Sequence, residues 1–111
     1  MTSVLRIERL RCEDPQDSLT DEIMIQANGR QVWPPSGSFS LSTGTEVPMR
    51  VDVPFDGEVN VQLFDEEDIG PDDRLNGVVI SEGDTNGQET FDITGPDWHY
   101  ILTYRVKSLD F

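Results

Sequence analysis

Apolar residues recur at every second position through most of this chain, and they do so in short runs. Leu5 and Ile7 alternate with Arg6 and Glu8, then Leu10 and Cys12 continue the pattern after a one-residue phase change. That predicts a first strand over residues 3–12 with a β-bulge in it. Residues 13–22 are acidic and interrupted by Pro15, which predicts a loop. Ile23, Ile25 and Ala27 resume the alternation up to Asn28-Gly29, and a return run from Arg30 to Trp33 stops at Pro34-Pro35. Asn-Gly between two extended runs predicts a tight hairpin, because both residues tolerate positive φ. Phe39 and Leu41 make a short fourth segment. Val47, Met49, Val51 and Val53 then alternate with Pro48, Arg50 and Asp52, and Pro48 confines that strand to an edge or an end.

Asp56-Gly57 is a second tight turn, and Val59, Val61 and Leu63 lead in strict alternation into a second acidic stretch, residues 64–77. Beyond it come Val78 to Ile80, a turn over 83–87, Phe91 with Ile93, a break at Gly95-Pro96-Asp97, and a last strand with Tyr100, Leu102, Tyr104 and Val106 on one face. No segment holds a helical period, and turn signals follow every short run. The pattern predicts an all-β fold, an antiparallel β-sandwich of seven or eight strands in two sheets. At 111 residues, one domain spanning 1–111 is expected.

Charge changes this picture. Twenty-two acids against eight bases leave a formal net charge of −14, and Lys107 is the only lysine. Nucleic acid is excluded as a partner, since its affinity comes from Lys and Arg on phosphates, and electrostatic docking on an anionic membrane is disfavoured for the same reason. Cys12 stands alone, so no internal disulfide exists, and it is expected as a buried apolar residue rather than a nucleophile paired with His99. One Cys and one His cannot supply the usual zinc ligands. No apolar run reaches membrane-spanning length and the N-terminal residues lack a signal-peptide core, so the chain reads as soluble.

The acids are also clustered. Eleven of the twenty-two lie in residues 13–22 and 65–73. Two like charges about 6 Å apart cost on the order of 0.7 kcal/mol even in water, so such loops favour a cation. Ca²⁺ suits an all-oxygen site because it accepts roughly six to eight oxygens in a forgiving geometry. An EF-hand would place Asp65, Glu67 and Gly70 correctly, but Ile69 and Asn76 then occupy ligand positions they cannot fill.

The stretch Phe64-Asp65-Glu66-Glu67, five further residues, then Asp73-Arg74-Leu75-Asn76 resembles the third loop of a C2 domain, which reads apolar-Asp-x-Asp, five residues, Asp-x-x-Gly. Glu67 replaces the second Asp, and Asn76 replaces Gly, the change best tolerated where positive φ is needed. Asp14-Pro15-Gln16-Asp17-Ser18-Leu19-Thr20-Asp21 is similar to the first such loop, one residue longer. The resemblance implies a Ca²⁺-binding sandwich with Asp14, Asp21, Asp65, Glu67 and Asp73 as carried-over ligands and Asp17 and Asp72 as additional candidates. It further implies a non-catalytic module that binds calcium ions, and the strong net acidity that would remain with calcium bound favours another protein or a larger assembly as the partner over a membrane. Two alternatives remain: a metal-independent adhesion or carbohydrate-binding sandwich using Trp33 and Trp98, and a Ca²⁺-dependent membrane binder inserting Ile69. Paired carboxylates also invite a glycosidase reading, but no aromatic-lined cleft accompanies them, and no enzymatic activity is expected.

Overall fold

Strict alternation along the first strand sets the inward face from which the rest of the molecule is built. In the computed structural model, which describes residues 2–17, 19–67 and 70–109, β1 (Thr2–Asp14) buries Leu5, Ile7, Leu10 and Cys12. Its register shifts between Ile7 and Arg9 against both neighbouring strands, which is where the apolar pattern changes phase. The strands that follow are β2 (Thr20–Ala27), β3 (Arg30–Trp33), β4 (Phe39–Ser42), β5 (Glu46–Asp56), β6 (Glu58–Asp65), β7 (Asp73–Ser81), β8 (Glu89–Thr94) and β9 (His99–Ser108). One sheet has the order β5-β1-β9-β8, the other β3-β2-β6-β7 with β4 also on β2. All pairings are antiparallel.

The nine described strands exceed the expected seven or eight for a local reason. Trp33 of β3 lies opposite Ile25, and Phe39 of β4 lies opposite Ile23. The two short strands therefore run end to end along one edge of β2, and residues 34–38 bulge out where β2 has only Met24. Pro34 and Pro35 cause the break, since neither can donate to the ladder. Counted as one interrupted strand, β3 and β4 bring the sandwich to eight.

Inward residues from both sheets fill the space between: Ile23 and Ile25 of β2 and Val59, Val61 and Leu63 of β6 meet Leu5, Ile7 and Leu102 from the other sheet, all fully buried. Each such side chain contributes roughly 1.5–3 kcal/mol by leaving water. β5 lies at a sheet edge, as Pro48 requires. The Asn28-Gly29 turn has positive φ at both residues, 50° and 81°. The Asn28 side chain also accepts from the Asn60 N–H at 2.9 Å, tying the hairpin to β6.

Strand direction decides which loops meet. The C-terminal end of β1 pairs with the N-terminal end of β9, Asp14 opposite His99. The N-terminal end of β2 pairs with the C-terminal end of β6, which in turn faces the start of β7, Ile23 opposite Asp65 and Asp65 opposite Asp73. Loops 15–19 and 66–72 consequently emerge from the same end of the sandwich. Both are shorter than the sequence indicated, because Asp21, Glu22, Asp73 and Arg74 belong to strands.

Candidate metal centre

The alternation of β2 extends back to the start of the strand, so Asp21 takes an inward position in line with Ile23 and Ile25. It is fully buried. Its Oδ2 accepts from the Gln16 N–H at 2.7 Å and from the Tyr100 hydroxyl at 2.5 Å, and its Oδ1 accepts from the Asp17 N–H at 3.0 Å. Tyr100 comes from β9 in the opposite sheet, and burial, reinforced by the Asp21 carboxylate, pushes its phenol pKa up. The phenol stays protonated as a donor.

β6 carries its alternation one position past Leu63, which places Asp65 inward and leaves it 1 % exposed. Its Oδ1 accepts from the Glu22 N–H at 2.8 Å, beside a ladder bond from the Glu66 N–H to the Glu22 carbonyl at 2.8 Å. Its Oδ2 is buried and has no hydrogen-bond partner among the described residues. Burial pushes the Asp65 carboxyl up to about 8; the Glu22 N–H opposes this, while Asp17 and Asp21 add to it. Glu67 is also raised, first by hydrogen bonding with the Asp73 carboxyl and then by desolvation, with Asp73 and Asp17 charges contributing. Among the described residues, no Lys or Arg forms an ion pair with any of these acids; Arg6 pairs with Asp52, Arg11 with Glu13, and Arg105 with Glu8.

Asp17, Asp65 and Glu67 each offer a carboxylate oxygen, and these atoms all lie within 4.8 Å of one another. Ca²⁺ holds oxygens at about 2.3–2.6 Å, so ligands on opposite sides of one ion stand no more than about 5 Å apart. The triangle therefore fits a single hard cation. Of the other sequence candidates, Asp73 reaches Glu67. Asp72 uses Oδ1 to accept from the Glu67 N–H at 3.1 Å, and Asp21 sits behind the loop with its donors. Asp14 is exposed at the end of β1. Ile69 lies outside the described residues.

Local backbone geometry supports the second loop. Asn76 has φ of 78° beside a register shift between β6 and β7, in the place the C2 pattern gives to Gly. The next residue, Gly77, approaches β6 so closely that a Cβ there would meet the Val61 carbonyl oxygen at 2.1 Å. Any side chain at 77 would force the two strands that carry the loop apart.

The two tryptophans that the carbohydrate-binding alternative would use are both packed against the protein. Trp33 is 9 % exposed and belongs to the core, with Phe39 against its ring at 5.2 Å. Trp98 is half-buried, donates its indole N–H to the Leu75 carbonyl at 2.8 Å, and leaves no room for a side chain on Gly95. Both rings close the sandwich. Cys12 is buried and free as expected, and burial pushes its thiol pKa up, away from a reactive thiolate.

No family model and no curated protein matches this sequence. Fifteen solved chains do match its structure. One is a C2 domain of a plant extended synaptotagmin 1, which superposes with a TM-score of 0.53 over 95% of this chain and 91% of that chain, at 8% sequence identity. The fold is C2-like. At that identity the likeness establishes a C2-like β-sandwich, and the chemistry of the site rests on this chain's own residues. Among the described residues, no helix is long and apolar enough to cross a membrane.

Proposed function

We propose that this C2-like sandwich binds Ca²⁺ between loops 15–19 and 66–72, without catalytic activity, and that the bound ion organises this end for contact with another protein. The observation that carries the reading is Asp65 Oδ2, a buried carboxylate oxygen with no hydrogen-bond partner among the described residues, in a triangle with Asp17 and Glu67. Ionising this buried carboxyl without a partner is costly, which is why it holds its proton up to about 8, and a coordinated cation is one of the few groups that compensates the charge once the proton leaves. Asp73 is within reach of Glu67, and Asp14, Asp21 and Asp72 complete the acidic end. A protein partner is favoured over a bilayer because a net charge of −14 opposes approach to anionic lipid.

Calcium titration calorimetry on the chain, with Asp65→Asn as control, tests this. Heat of binding that disappears in the variant supports it, and no heat with the wild type sinks it. Leu19, 78% exposed on the first loop, favours a second reading in which the calcium-loaded end touches a membrane. Co-sedimentation with liposomes that is lost in Leu19→Asp is its signature, and failure to pellet with neutral or anionic vesicles removes it.

A further inference from the structure

We infer that Asp21 is a positioning residue rather than a ligand, and that with Tyr100 it holds the first loop in its ion-binding shape before an ion arrives. The inference rests on the calcium reading above and specifies how that site is built. Asp21 is fully buried, and three donors share its two oxygens at 2.5–3.0 Å. Two of those donors are the backbone N–H groups of Gln16 and Asp17, so the carboxylate determines where the loop backbone turns and where Asp17 stands. The third is the phenol of Tyr100, reaching across from the other sheet, which anchors Asp21 to both layers of the sandwich.

A carboxylate satisfied in this way needs no cation, in contrast to Asp65. If Asp21 swung out to ligate, the Gln16 and Asp17 amides and a buried phenol would lose their acceptor, each left to desolvation without compensation. The ion therefore takes Asp17, Asp65 and Glu67, and the site holds one ion. Outer partners that orient metal ligands typically change affinity by about 10- to 100-fold when removed.

The test is calcium titration calorimetry on the whole chain and on Tyr100→Phe, which keeps every carboxylate, together with amide hydrogen exchange in EDTA. Expected are one ion per wild-type chain, about 10- to 100-fold weaker binding by Tyr100→Phe, and slow exchange of the Gln16 and Asp17 amides without calcium. In the variant those two amides exchange faster while the β6 amides stay protected, a pattern that general destabilisation does not produce. Unchanged or tighter binding by the variant, or two ions in the wild type, overturns this inference and leaves the calcium reading standing. No uptake by the wild type overturns both. Should Tyr100→Phe fail to fold, the wild-type exchange decides: Gln16 and Asp17 amides exchanging at unprotected-loop rates refute the clamp.

Discussion

Asp21 and Asp65 are both buried carboxylates at the same end of the molecule, one near the start of β2 and one at the end of β6. Asp21 has donors on both oxygens, whereas Asp65 has a donor on Oδ1 and, among the described residues, none on Oδ2. Burying a charge is tolerable when hydrogen bonds replace the lost water, and costly when they stop short. The first carboxylate is thus a structural fixture, and the second is the one that the proposed calcium reading leaves for a cation. The difference lies in where loop amides fall: loop 15–19 turns two of its N–H groups inward onto Asp21, and the Glu67 N–H of loop 66–72 goes outward to Asp72.

The largest expected effect comes from removing the satisfied carboxylate. Asp21→Ala strands two amides and a buried phenol, and should cost on the order of 3 kcal/mol or more in urea unfolding with EDTA present. Little loss there would mean that Asp21 is not the structural member of the pair. Next is Asp65→Asn. At about a hundred times its Kd, calcium should add about 2.7 kcal/mol to the wild type and nothing to the variant, read as the difference between melts in calcium and in EDTA.

Acidity sharpens the contrast from another direction. Burial holds Asp65 at about 8, against about 3.9 for an unfolded aspartate. Between those values the folded state keeps a proton that the unfolded state has released, so the contribution of Asp65 to the stability of the ion-free protein is fully present below about pH 4 and is lost as pH rises towards about 8. Saturating calcium takes the proton's place and should remove that slope; parallel urea midpoints with and without calcium across this range would contradict it. The smallest effect is expected far from the site. Arg6 and Asp52 form an exposed pair at 2.7 Å, and Arg6→Ala should change stability by less than about 1 kcal/mol with calcium binding intact.

Much of the scaffold was readable because a period of two survives local noise. The phase change after Ile7, the Asn28-Gly29 turn and the edge position that Pro48 demands all have the physical cause the residues announce. Strand ends were harder. Asp21, Glu22, Asp73 and Arg74 look like loop because they are charged, yet the ladder continues through them once neighbouring strands offer partners. Trp33, next to the break at Pro34, packs into the core, which no local pattern announces.

Within the acidic end, the sequence by itself determined which residue types gather there: alternation ending in Asp65, a run of acids on either side, and an Asn where positive φ is needed. Only the tertiary structure decided which carboxylates meet donors and which do not. Tyr100 and Asp21 lie 79 residues apart, and nothing local to either predicts their contact. Hydrogen-bond satisfaction is a property of the assembled ends of two sheets, set by strand register and by which way each loop amide points, and neither is encoded at a single position.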